Sequence, residues 1–124
     1  MRTMEPRALV AAGALVPVGR LATAWATTSA ELASAHLRGA LTGLEVQGAL
    51  HYPSAFLQLL RDAVTQVCRA LGGLEPATAW IFWQRAHGAL GGHTAPEALQ
   101  GSPDGLPQVL RLARAWVRED GATP

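Results

Sequence analysis

The chain contains no lysine. Its ten basic residues are all arginine, set against nine acidic residues, for a net charge of +1. With charge this sparse and balanced, composition marks neither a strongly basic nucleic-acid binder nor an acidic disordered tail. A single cysteine, Cys68, rules out an internal disulfide. It falls on the apolar face of a predicted helix and reads as a buried, inert thiol. No apolar run approaches the roughly 18 residues that a membrane span requires. The chemistry of catalysis is also missing. His36, His51, His87 and His93 are scattered, and no second cysteine or carboxylate cluster completes a zinc-like ligand set. Gly91-Gly92 has no Walker-type GK[ST] and no dinucleotide fingerprint beside it. The expectation is a non-enzyme with no catalytic residues, no metal and no cofactor.

What is present is apolar residue in quantity: 49% of the 124 residues are hydrophobic, enough for a core. That length fits one domain, or one small module fused to another. The N-terminus carries partial marks of a signal peptide in Arg2, Arg7, the apolar residues 8–16 and Ala24-Trp25-Ala26. Glu5, Pro17 and Arg20 interrupt that pattern, so the reading is a soluble cytoplasmic protein.

Taken in order, residues 6–16 predict a short apolar helix with Pro6 near its start, and Val18 to Ala26 a second. Thr28-x-x-Glu31 has the form of a capping box and opens a third helix, from Ser29 to about Arg38. The period then changes. Residues 43–53 alternate between glycines, with Leu44 and Val46 on one face, a turn near Gln47-Gly48, then Leu50 and Tyr52. This is a hairpin pattern, and Pro53 closes its second strand. Helix, turn, capped helix and two-stranded wing is the order of a small winged-helix head, similar to excisionase-like and MerR-like DNA-binding heads. It is assigned to residues 1–53. Thr28, Ser29, His36 and Arg38 are its candidate DNA contacts. Between Val18 and Phe56, however, Arg20 and Arg38 are offset by Glu31 and Glu45. A neutral head neutralises few phosphates, so it should bind DNA weakly or not at all alone. A wing kept for packing or dimerisation stands equally open.

The strongest helical pattern runs over residues 56–71. Phe56, Leu57, Leu60, Ala63, Val64, Val67, Cys68 and Leu71 recur at helical spacing, with Ser54 as N-cap and Gly72-Gly73 as the stop. Pro76 starts the next helix, which carries Trp80-Ile81-Phe82-Trp83 and so is apolar on all sides. Gly91-Gly92 then predicts a turn. Thr94-x-x-Glu97 predicts a second capping box, with Pro96 in the first turn of a short helix. A last helix follows, capped by Ser102 or Asp104. Leu106, Val109, Leu110, Ala113, Trp116 and Val117 form its inner face, and Arg111, Arg114 and Arg118 share another.

The segment "W…GALGGHTAPEAL…VLRLARAW" resembles the toxin-binding domain of Xre/MbcA/ParS-type antitoxins, over residues 54–120. That family has an apolar Trp-bearing helix, a turn of the form ALGGRTPLEAL and a closing helix. Here His93 stands where the family has arginine. With the head read above, the expected fold is mainly α: a helix–turn–helix head with a two-stranded β-wing, then a four-helix domain over residues 54–124 that the resemblance marks as toxin-binding-like. The resemblance implies an antitoxin that neutralises a toxin encoded beside it, often a RES-domain, NAD-consuming protein, and that represses its own operon. Leu90, Gly91, Gly92, His93, Arg111, Arg114 and Arg118 are the candidate toxin contacts. A homo-oligomer with no membrane association is expected. A DNA-binding regulator without a toxin, and a dimerisation or adaptor protein, are the alternative readings.

Overall fold

Pro17 and Pro53 set the backbone around which the first half folds. In the computed structural model, which describes residues 6–41, 43–72, 74–101 and 104–122, both lie in strands of one small sheet. The elements run α1 (Pro6–Ala11), β1 (Leu15–Pro17), α2 (Val18–Ala24), α3 (Ser29–Leu37), β2 (Leu44–Val46) and β3 (Ala49–Pro53). They continue with a 3-10 helix over Ser54–Gln58, then α4 (Arg61–Ala70), α5 (Pro76–Gln84), β4 (Ala86–His87), a 3-10 helix over Gly88–Leu90, β5 (His93–Thr94), α6 (Ala95–Gly101) and α7 (Gly105–Ala122). The protein is mainly helical, with a three-stranded antiparallel sheet in the order β1-β3-β2 and a two-stranded β4-β5 ribbon.

The expected helix over 6–16 ends at Ala11, and the expected two-stranded wing gains a third strand from its tail. Gly13 supplies the reason. At φ +80 it turns the chain so that Leu15, Val16 and Pro17 pair with Pro53, Tyr52 and His51. Pairing satisfies the backbone of this apolar stretch and buries Leu15 and Val16. The hairpin turns through Gln47 at φ 53 and Gly48 at φ 83, two successive left-handed residues as a two-residue primed turn requires. Cross-strand partners share a face. Leu15 and Val46 therefore pack with Trp80 in one small cluster, whereas Tyr52 enters the main core.

The main core runs from Leu21 and Leu32 through Phe56, Val64, Val67, Phe82 and Trp83 to Val109 and Ala113. It thus draws on residues on both sides of position 53. Phe56 meets Trp83 edge-on at 4.8 Å, stacks on Trp25 at 6.3 Å and tilts against Tyr52 at 6.4 Å. The same region corrects the single helix expected over 56–71. After the 3-10 helix, Leu59 and Leu60 are extended, and α4 starts at Arg61. The Leu59 carbonyl accepts a 2.9 Å hydrogen bond from Trp25 Nε1, which takes the place of a helical partner. Ser54 does not cap; its N–H donates to the Ala14 carbonyl. Leu60, counted among the apolar face in sequence, is 79% exposed.

Thr28 Oγ1 accepts from the Glu31 N–H at 3.1 Å, so α3 begins at the predicted cap. Pro76 is at the start of α5. The sequence pattern predicts this helix as far as Ala86, but it ends at Gln84, because Arg85 is extended and Ala86 and His87 form β4. Trp80, Phe82 and Trp83 are buried and Ile81 is not. On α7, Val109 and Ala113 are fully buried, with Leu106, Leu110, Trp116 and Val117 packed beside them. Ser102, one of the two caps proposed for α7, and Gly73 lie outside the described residues.

Tyr52 is fully buried, yet its hydroxyl has no hydrogen-bond partner among the described residues. Burial pushes its phenol up from 10.0 to about 12. A buried hydroxyl without a partner forfeits its hydration and gains nothing in return. Tyr52→Phe should therefore stabilise the protein by about 1 kcal/mol. Thermal denaturation at neutral pH checks this, and a lowered Tm would mean that the hydroxyl is bonded.

Candidate partner-binding surface

The candidate site is built on the turn that joins α5 to α6. β4 and β5 pair antiparallel, Ala86 with Thr94 and His87 with His93, and so draw the two ends of the turn together. Between them the 3-10 helix Gly88–Leu90 ends on Gly91 at φ 71, ψ 24, and Gly92 follows at φ 86. The Gly91 N–H donates to Gly88 O at 3.0 Å and the Gly92 N–H to His87 O at 2.9 Å. Two left-handed residues in succession explain the glycine pair; side chains with a Cβ are disfavoured there by about 1–2 kcal/mol each. A Cβ on Gly92 would meet nothing within 4 Å, so conformation rather than space selects glycine.

The capping box closes in both directions. The Thr94 N–H donates to Glu97 Oε1 at 2.8 Å, and the Glu97 N–H donates to Thr94 Oγ1 at 3.3 Å. The Thr94 N–H bond holds the Glu97 carboxyl below its ordinary value of 4.5, aided by the Thr94 hydroxyl and by His93. His93 is exposed, with Nδ1 at 3.5 Å from Glu97 Oε1. Leu90, His93, Glu97, Ala98, Gly101, Gly105 and Gln108 line an open groove of about 440 Å³.

Of the residues expected to meet a toxin, Gly91, Gly92 and His93 are exposed on this turn. Leu90 is buried in the main core, so its side chain anchors the turn and reaches the groove only from below. Arg111, Arg114 and Arg118 are exposed on α7. Gln108, at the groove, precedes Arg111 by one turn of the same helix, which brings the start of that face beside the turn. Of the residues expected to meet DNA, Ser29 is exposed, and Thr28 spends its side chain on the α3 cap. His36 is half-buried, its Nδ1 accepting from the Gly43 N–H at 3.3 Å. Arg38 is exposed and donates to Ser34 Oγ at 2.6 Å.

Two positions escaped sequence reasoning. His87 is buried and donates from Nε2 to the Phe82 carbonyl at 2.9 Å, its ring between Phe82 and Trp116 at 5.0 and 5.4 Å. It pins the turn to α5 and α7. A histidine three residues after the end of an α-helix carries no sequence mark of that role. Gly105 opens α7 against α6, and a Cβ there would collide with the Ala98 carbonyl. Its neighbours in sequence suggest only a loop glycine. Among the described residues, no group of three histidine, cysteine or acidic side chains could hold a metal ion, and no helix is long and apolar enough to cross a membrane. Searches of protein-family models, curated proteins and solved structures find no match to this chain.

The three glycine environments predict three outcomes. Gly91→Ala and Gly92→Ala should each cost about 1–2 kcal/mol from the left-handed backbone. Gly105→Ala should cost about 3 kcal/mol, because α6 and α7 must separate. Gly88→Ala, with open space and no left-handed φ, should be neutral or slightly stabilising. Denaturant melts of the four variants read the order directly. The cap predicts an acid limit as well. A depressed carboxyl contributes stability above the ordinary glutamate range and loses it as pH falls through its lowered value. Glu97→Gln should therefore have a lower Tm than the parent at pH 7, and the gap should narrow towards pH 3.

Proposed function

We propose that this protein is the antitoxin of a bacterial toxin–antitoxin pair, one that binds and neutralises a toxin encoded beside it. The observation that carries this reading is the doubly capped glycine turn. Its motif is the part of the sequence most similar to the Xre/MbcA/ParS-type antitoxins, and its tip projects Gly91, Gly92 and His93 beside a groove that leads to the arginine face of α7. An inhibitor that blocks a catalytic cleft needs donors held in fixed positions. The turn is fixed by two backbone–backbone hydrogen bonds across the glycines and two backbone-to-side-chain bonds in the cap. His93 on the turn and Arg111, Arg114 and Arg118 on α7 are the donors, and a guanidinium suits a carboxylate of the partner. Trp80 and Trp116 are assigned to holding the protein together, Trp80 under the sheet and Trp116 against Phe82 at 5.2 Å. In the family that the chain resembles the toxin is often a RES-type, NAD-consuming protein, and the chain is taken to act in the cytoplasm as a homo-oligomer.

The first half is read as a winged-helix head that contributes to repression of the operon. The order α1-β1-α2-α3-β2-β3, with sheet order β1-β3-β2, supports that reading, as does the turn between α2 and the capped α3. The four helices α4 to α7 are read as the toxin-binding-like part.

Alanine substitutions at His93, Arg111, Arg114 and Arg118 test the partner surface, with the neighbouring gene product co-expressed and purified. An arginine that pairs with a buried carboxylate of the toxin should cost about 2–5 kcal/mol of binding when removed. One that stays solvated should cost almost nothing. Melting temperatures should be unchanged throughout. Wild-type affinity in all four variants would move the interface elsewhere, and a neighbour that never co-purifies would overturn the antitoxin reading.

A further inference from the structure

A second group of arginines lies away from the glycine turn. Arg38 at the end of α3 and Arg61, Thr65 and Arg69 on α4 line one groove of about 270 Å³. The α4 residues are spaced i, i+4 and i+8, so they form a row along one face about 12 Å long. Two carboxylates bear on this patch. Asp62 is in the groove, where its Oδ2 accepts from Gln66 Nε2 at 2.8 Å, and Glu31 is exposed on α3 two turns before Arg38. Three guanidiniums against one committed carboxylate leave the groove itself cationic.

The start of α4 adds to the field. Leu60 is its N-cap and makes no side-chain cap bond, and Arg61, a cation, occupies the first position. Both choices are unfavourable at a helix N-terminus, which carries partial positive charge, and Asp62 is the acidic residue that the first turn sets against it. An anion in the groove would offset both.

We propose that this groove receives the phosphate backbone of a DNA duplex, so that the DNA-contacting surface is completed by α4 and not by the head alone. A row of cations with a neutral hydroxyl between them matches a regularly repeating anion better than the irregular carboxylates of a folded protein. The groove borders α3, the second helix of the helix–turn–helix. The outward face of α3 carries Ala30, Ala33, Ser34 and Leu37, the last 85% exposed. Only the choice of DNA over other polyanions rests on the winged-helix reading; the antitoxin reading is not needed. The balanced charge of residues 18–56 then ceases to be an obstacle, because Arg61 and Arg69 come from beyond it.

The test is a fluorescence-anisotropy titration of the full chain with a labelled duplex of its own promoter and with a scrambled duplex, without any partner protein. Three phosphate contacts give a slope of log K against log salt of about −2.7, or about a 40-fold loss of affinity from 50 to 200 mM salt. Arg38→Gln, Arg61→Gln and Arg69→Gln should each make that slope shallower by about 0.9 and weaken both duplexes alike. Gln keeps most of the side-chain stem, and unchanged thermal melts confirm folding. Arg61→Lys should restore the slope, since counterion release depends on charge. Arg85→Gln, outside the groove, should leave it unaltered. Slopes unchanged in all three groove variants, or no duplex binding at 50 mM salt, would overturn the proposal. So would polyglutamate binding that depends on these arginines while duplex does not bind, an outcome that assigns the groove to an acidic protein. None of these results bears on toxin binding, which is read by co-purification.

Discussion

The burial of Phe56 is the constraint on which the rest of the structure depends. It follows Pro53, the last residue of β3, by three positions and sits at the junction of the two halves of the chain. Its ring touches Trp25 of the α2–α3 turn, Tyr52 of β3 and Trp83 of α5. Truncating such a residue typically costs about 3–5 kcal/mol, a large share of the stability of a small protein. The geometry that admits the ring also breaks the helix. To place Phe56 among these three aromatics the chain takes a 3-10 turn, and the freed Leu59 carbonyl is satisfied by the Trp25 indole. Three aromatic contacts of one ring and one hydrogen bond therefore tie the α2–α3 turn and the sheet to α5 and to the segment that leads into α4.

The glycine turn uses the opposite strategy. Its tip is exposed, so little of its order comes from burial. Order comes from below, where Leu90 and His87 are sunk in the core, and from the reciprocal cap at its far end. A short segment held at both ends loses little conformational entropy when a partner engages it. That is the physical reason for a loop of this kind to serve recognition, and it separates the residues that hold the turn from those that it presents.

Much of this was legible in the sequence, and the failures have identifiable causes. Capping boxes are local, so Thr28–Glu31 and Thr94–Glu97 can be read without knowing the fold. The Gln47-Gly48 turn is local for the same reason. Errors arose where a distant partner decided the outcome. Leu15 and Val16 read as helix because their strand partner is β3, more than thirty residues on. Residues 56–71 read as one helix because apolar spacing cannot reveal that an indole claims the Leu59 carbonyl. Gly105 looked unconstrained because the Ala98 carbonyl that excludes a Cβ belongs to another helix. In the candidate site the turn was visible and its exposure followed, whereas the inward placement of Leu90 and the pinning role of His87 required tertiary contacts.

The absence of lysine bears on how the surface can work. Every permanent side-chain cation here is a planar guanidinium, suited to paired acceptors and weakly hydrated. These cations are grouped. Arg111, Arg114 and Arg118 share a face of α7, and Arg38, Arg61 and Arg69 surround the groove between α3 and α4. Helices α4 and α7 pack on one another through apolar faces that include Val64, Val67, Val109 and Ala113. Each helix thus commits one side to the shared core and keeps its arginines for another side. A chain of net charge +1 has too little charge for long-range steering to dominate, so any charge pairing at these faces acts at short range. Rigid helices joined by one core let a nearly neutral protein carry two separate arginine-bearing surfaces, each determined by where its guanidiniums are held and not by how many there are.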